Sequence, residues 1–208
     1  MYLEVFSDNS FDTNCWLIAA EGSDDAIVVD PGFEPARVHA LLDAAGKRPA
    51  AVLATHGHYD HIGSAGEFCG DDVPFYIHEA DELAITDART WGAGFPTPPI
   101  EIKDVRTIAD GDALELAGFR LEVVHTPGHT PGSTCYVVGP FLFSGDTLFP
   151  GGPGNTQGHA KRFARVMESL DGLFASLPDD TRICPGHGID STIGRERPHV
   201  ETWRARGW

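Results

Sequence analysis

The chain has 208 residues, 41% of them hydrophobic, and a formal net charge of −16. That length suits one large domain or two small ones with a real core, and the composition excludes a disordered chain. The charge argues against nucleic acid as the main partner, because phosphate binding needs a basic footprint. No apolar run approaches the ~20 residues of a membrane span. The opening residues Met1 to Val5 carry neither the basic nor the apolar region of a signal peptide. Cys15, Cys69, Cys135 and Cys184 form no CxxC pair, so reduced, buried thiols in a cytoplasmic protein are expected.

In chain order, residues 1–30 read as strands. The last of these, Ala26 to Val29, stops at Asp30-Pro31-Gly32. Pro35 to Ala45 reads as a helix: proline suits its first turn, Val38, Leu41, Leu42 and Ala45 share one face, and Gly46 closes it. A buried strand at 50–54 leads into Thr55-His56-Gly57-His58-Tyr59-Asp60-His61. Ile62 to Cys69 is expected to continue as a helix, followed by a strand from Val73 to Ile77 and a short helix over 80–87. Residues 90–104 read as an irregular excursion, a packed loop or a lid, with Trp91, Phe95 and Ile100 as its apolar members.

The second half repeats the alternation. Phe119 to Val124 reads as a strand ending near His125 and His129. Thr134 to Val138 and Phe141 to Phe143 form an expected hairpin turned at Gly139-Pro140, which runs into Asp146. Helix 159–177 is the clearest, with Phe163, Val166, Met167, Leu170, Leu173, Phe174 and Leu177 on one face. A strand at Arg182 to Cys184 precedes His187, and a charged helix at 194–206 is expected to cover the sheet with a solvated face. No boundary splits the chain. An α/β architecture follows, with two sheets facing one another and helices outside.

Metal-capable side chains thus follow strands at 56–61, 129, 146 and 187. His56, His58, Asp60, His61, His129, Asp146 and His187 are enough donors for two cations sharing one carboxylate, whereas a single tetrahedral zinc needs three or four. Two divalent ions ~3.5–4 Å apart can hold a hydroxide at neutral pH and polarise a carbonyl or phosphoryl oxygen. Histidine and aspartate suit zinc first, and iron or manganese as well.

HxHxDH after a strand, then Gly128-His129-Thr130, Gly145-Asp146-Thr147 and Pro185-Gly186-His187-Gly188, resembles the metallo-β-lactamase superfamily from Asp30 to His187. The resemblance implies an αββα sandwich with two metals at one sheet edge. It places His56, His58 and His129 at one metal and Asp60, His61 and His187 at the other, with Asp146 bridging. Asp60 and Asp146 thereby become catalytic residues, and Asp30 braces the ligand loop through hydrogen bonds.

Within the superfamily, His129-Thr130-Pro131-Gly132-Ser133, Gly145 to Phe149 and Ser191 to Glu196 are similar to glyoxalase II and its short relatives. The implied reaction is hydrolysis of a 2-hydroxyacyl thioester: a bridging hydroxide attacks the carbonyl and a thiolate leaves, so no strong general acid is needed. The implied partner is therefore a small-molecule thioester, with no nucleic acid and no membrane; oligomeric state stays open. Two features depart from the glyoxalase II pattern. The extra C-terminal helical domain is missing, and Gly152-Pro153-Gly154-Asn155 stands where that family places a basic residue for a glutathione carboxylate. The carrier thiol therefore stays open, and the Gly-rich stretch reads as a flexible pocket wall.

Among the remaining candidates, Tyr59 and Asn155 are expected to line the substrate pocket and His125 to support the ligands. His39, His78, His159 and His199 read as structural or solvated. A persulfide dioxygenase holding one iron, and a lactonase, share the ligand motifs and stay as alternatives. A tRNA-processing type of nuclease is disfavoured by the net charge.

Overall fold

The computed structural model describes residues 1–7, 11–87 and 100–207. The expected lid or loop at 90–104 lies outside the described residues as far as 99. One sheet runs in the order β1 (Tyr2–Ser7), β2 (Asn14–Ala19), β3 (Asp25–Val29), β4 (Arg48–Leu53), β5 (Phe75–His78) and β6 (Val105–Ile108). The other comprises β7 (Ala113–Leu116), β8 (Phe119–His125), β9 (Thr134–Val138), β10 (Phe141–Gly145), β13 (Arg182–Pro185) and β14 (Ser191–Thr192), which is also their spatial order. A small hairpin of β11 (Leu148–Phe149) and β12 (Gly152–Pro153) sits between β10 and β13 in sequence.

The layering follows from side-chain alternation. Every residue of β2 is buried, because its two faces meet different layers. Trp16 and Ile18 join Ile27, Val29, Leu53, Leu121, Val123, Tyr136 and Phe143 in the core between the sheets. Cys15 and Leu17 point the other way, with Val28 and Val52, onto Val38 and Leu42 of α1 (Pro35–Ala45). The outer face of the second sheet carries Cys135, Leu142 and Ile183. It is covered by Met167, Leu170, Leu173 and Phe174 of α4 (Ala160–Ser176) and by Trp203 of α6 (Val200–Arg206). Helix, sheet, sheet, helix is the observed order, in agreement with the αββα expectation.

Four expectations need correction. The helix expected from Ile62 to Cys69 is two single turns, α2 (Tyr59–Ile62) and α3 (Ala65–Phe68). Between them Ser64 leaves the helical ladder, its amide donating to Gly32 O at 2.8 Å and its hydroxyl to Pro31 O at 3.0 Å. The C-terminal helix is divided into α5 (Ile193–Glu196), a 3-10 turn at Arg197–His199 containing Pro198, and α6. It is not merely a solvated cover, since Trp203 is buried and packs on Phe174 at 6.2 Å. The strands β6 and β7 were not anticipated; each has only four residues, one of them charged. Finally, Gly152 to Gly154 is no loose wall: all three are buried, and a Cβ on Gly154 would fall onto the Asp146 carbonyl oxygen.

Strands β3, β4, β8, β10 and β13 all end at one rim, just before Asp30, His56, His129, Asp146 and His187 respectively. The rim is tied across the two sheets. Tyr136 of β9 donates its hydroxyl to Ala54 O at 2.8 Å, and Thr134 N donates to Thr55 O at 2.8 Å.

Candidate metal centre

Seven donor side chains converge on this rim in three overlapping groups: His56, His58, His129; His56, His61, Asp146; and Asp60, His61, His187. Donor atoms within each group lie within 4.8 Å of one another. In the first, His58 Nδ1 stands 3.0 Å from His56 Nε2 and 2.9 Å from His129 Nε2. In the third, His61 Nε2 and His187 Nε2 are 3.3 Å apart, and Asp60 Oδ2 lies 3.5 and 3.4 Å from them. Asp146 reaches both sides: Oδ2 is 3.5 Å from His129 Nε2, and Oδ1 is 3.5 Å from both His61 Nε2 and His187 Nε2.

The donors fit divalent cations. Tetrahedral coordination at zinc–nitrogen distances places ligand nitrogens about 3.3 Å apart, close to the spacings observed. Asp146 Oδ1 is buried without a hydrogen-bond partner among the described residues, a costly condition unless a cation faces it. Room for this oxygen depends on Gly186, where a Cβ would collide with it and come within 2.8 Å of His61 Cε1.

The imidazoles are held in ligating tautomers by protein acceptors. Facing them are Thr55 Oγ1 at 3.1 Å for His56 Nδ1, Asp30 Oδ2 at 2.9 Å for His61, Asn155 O at 2.7 Å for His129 and Phe11 O at 2.9 Å for His187. Each leaves Nε2 for the site; His58 alone presents Nδ1. Such outer hydrogen bonds fix ring orientation and raise ligand basicity.

Electrostatics separate the two halves. Burial, and then the neighbouring imidazoles, push His56 well below the usual histidine range and His58 down to about 4. At His61 burial acts the same way, but Asp60, Asp30 and Asp146 overcome it and raise the group to about 10. Asp60, in spite of burial, is held below the carboxylate range by His61, His187 and His58, so it stays ionised. His187 is raised against its burial, by Asp60 and Asp146.

Asp30 braces the ligand loop from below. Its Oδ1 accepts Thr55 N at 2.8 Å, and its Oδ2 accepts the Thr55 hydroxyl at 2.7 Å along with the His61 ring. It does so from φ 51°, a left-handed conformation in which aspartate is tolerated better than most residues. Asn155, expected in the substrate pocket, offers its backbone carbonyl to His129 and its side-chain oxygen to Gln157 N at 2.6 Å. The Tyr59 ring stacks on Phe33 at 6.0 Å, and Phe33 in turn meets Phe11 edge-on at 5.4 Å. His125 stacks on His78 at 3.9 Å, and its Nε2 lies 2.8 Å from Pro131 O in the His129 loop. His159 stands as an exposed residue ahead of α4.

Two further positioning residues were not foreseen. Asp81 is buried and accepts three hydrogen bonds, from Gly57 N (2.9 Å), the Thr130 hydroxyl (2.6 Å) and Gly132 N (2.7 Å), tying the His56–His58 loop to the His129 loop. Asn14 donates to Pro185 O at 3.0 Å and Gly188 O at 2.9 Å, and its amide to Gly186 O at 2.7 Å, which clamps the His187 loop. Asp81 stands among other acids in Glu79-Ala80-Asp81-Glu82, within the short helix expected over 80–87. Asn14 falls within the strands expected over residues 1–30.

Comparison with known proteins agrees with this geometry. Residues 9–187 match the family model described as the metallo-beta-lactamase superfamily. The chain is 31% identical to "Hydroxyacylglutathione hydrolase GloC" of Haemophilus influenzae, covering 95% of each chain. Among solved structures it is similar to BLEG-1 B3 metallo-beta-lactamase (27% identity, TM-score 0.85, 97% of this chain and 99% of that one). It is also similar to TTHA1623 in a di-iron-bound form (34% identity, TM-score 0.74, 93% and 96%). With seven converging donors and a matched segment spanning all of them, this chain belongs to the metallo-beta-lactamase superfamily of metal-dependent hydrolases.

Proposed function

We propose that this protein hydrolyses a 2-hydroxyacyl thioester at a two-metal centre, in the manner of glyoxalase II. The observation that carries the reading is Asp146: its two oxygens face two separate donor groups, and the inner one has no hydrogen-bond partner among the described residues. Similarity to a hydroxyacylglutathione hydrolase over 95% of the chain supports the thioester as substrate class. His56, His58 and His129 would hold one ion and Asp60, His61 and His187 the other, with Asp146 between them. Divalent ions there supply Lewis acidity and a hydroxide near neutral pH.

The protein's own contribution is arrangement. His56 and His58 are already neutral at pH 7, so their lone pairs are free without loss of a proton. Asp60 stays a carboxylate and cannot serve as an acid. A thiolate leaving group departs without one, which suits a thioester better than an amide. His187 is the most open member on the Asp60 side, with a side-chain accessibility of 26% against 0% for His61.

The test is metal analysis combined with turnover of lactoylated thiols. Two metals per chain and thioester hydrolysis are expected, with His58→Ala and Asp146→Asn folded but inactive. Absence of turnover with several carrier thiols would overturn the reading. About one iron per chain with oxygen uptake would point instead to a persulfide dioxygenase.

A further inference from the structure

A cavity of about 340 Å³ opens beside His58 and His129. Its lining combines two chemistries. The apolar part is Ala80, Leu83 and Ala84 of the 3-10 segment Glu79–Ile85; Leu83 is 60% exposed, a large apolar side chain left facing solvent. The polar part includes Gln157 and Arg162, the latter in the first turn of α4. Asp81 also borders the cavity, but both its oxygens are engaged by Gly57, Thr130 and Gly132 and it makes no ion pair with Arg162.

Arg162 belongs to a local reversal of charge. In a chain of net charge −16, Lys161, Arg162 and Arg165 are gathered along one adjoining groove with Pro127 and Pro131. Arg165 is paired with Glu168 at 3.0 Å. Lys161 and Arg162 make no ion pair or side-chain hydrogen bond among the described residues. An exposed guanidinium without a partner among the described residues, lining the same small cavity as apolar side chains, selects a ligand with an apolar body and an anionic end.

Resting on the proposed thioester hydrolysis, we propose that this cavity receives the carrier portion of an acyl-thiol bearing a carboxylate, which Arg162 binds while Leu83 covers the carrier's apolar stem. The cation that Gly152 to Asn155 does not provide is thereby supplied from a different element, the start of α4. Arg162 is a specificity residue: it touches the substrate away from the reacting carbonyl, so its contribution is to binding and falls on KM more than on kcat.

The experiment uses the full-length metal-loaded protein and two inert thioethers, S-methylglutathione, which carries carboxylates, and S-methyl-N-acetylcysteamine, which is neutral. Calorimetry should show tighter binding of the anionic probe by the wild type. Arg162→Met should weaken that probe about tenfold, the worth of one charge-assisted contact, and Arg162→Lys less, while the neutral probe is unchanged in both. Equal affinity of Arg162→Met and wild type for the anionic probe, or no preference for that probe in the wild type, would overturn the proposal. Lactoyl thioesters of the same two thiols give the kinetic arm, where Arg162→Met should raise KM for the anionic ester alone. If neither ester is hydrolysed, the proposed reaction fails, while the binding comparison still decides the role of the cavity.

Discussion

The Asp81 carboxylate accepts the Thr130 hydroxyl at 2.6 Å, and through that bond the first sheet's ligand loop is fastened to the second sheet's. Thr130 follows His129 directly, and the same carboxylate holds Gly57 N between His56 and His58. One buried acid therefore sets the distance between the imidazoles of the first donor group. Asp81→Ala leaves three donors without an acceptor, and a stability loss on the order of 3 kcal/mol is expected. Asp81→Asn retains one acceptor oxygen and should lose less. Both variants should release metal to a chelator about tenfold more readily than wild type, as outer-shell changes do. Unchanged metal retention in Asp81→Ala would refute this bracing role.

Asp30 is predicted to matter through the tautomer of His61. In Asp30→Asn the amide nitrogen or oxygen can replace only part of a set in which the carboxylate accepts Thr55 N, Thr55 Oγ1 and His61 Nδ1. Metal affinity at the Asp60, His61, His187 group should fall about 10- to 100-fold, while the His56, His58, His129 group changes less. Titration with a chromophoric divalent ion, read as two successive equivalents, separates the two.

The two groups should also differ in pH dependence. His61 is raised to about 10, so below that pH a metal entering its group must displace a proton. Affinity there should rise with pH, by about tenfold per unit for each proton displaced. His56 and His58 are depressed, His58 to about 4, so they add no pH dependence to the other group between pH 6 and 9. Calorimetry in two buffers of different ionisation enthalpy should find protons released with one metal equivalent more than with the other. Equal release for both would contradict the assignment.

Gly154 is predicted to be intolerant of any side chain. A Cβ there would overlap the Asp146 carbonyl oxygen, and the neighbouring Gly154 N to Thr147 O bond at 3.3 Å keeps the two segments together. Gly154→Ala should cost about 1–3 kcal/mol by overpacking and should lower metal content by shifting Asp146. Full metal loading at wild-type stability would show that this segment yields freely.

Much of this was legible in the residues. Ligand-capable side chains followed apolar strands, and the 3.6-residue spacing of α1 and α4 marked their buried faces. What the sequence hid was of two kinds. Short elements such as β6 and β7 carry too few apolar positions for their period to show, and a break such as Gly63-Ser64 depends on distant acceptors, Pro31 and Gly32. The braces Asp81 and Asn14 act on backbone groups remote in sequence, so no local pattern announces them. Arg162 is of the same kind, since helical spacing explains its exposure but not which cavity it overlooks.

The Tyr136 to Ala54 bond joins the sheets beside a centre whose donor groups are each drawn from both halves of the chain: His56 and His58 with His129, Asp60 and His61 with His187. Neither half owns a complete binding site. A chain cut between β6 and β7 should therefore give two fragments that each fail to retain metal, yet regain it when mixed. In that experiment metal uptake would count docked halves, making the cation a reporter of assembly as well as an agent of chemistry.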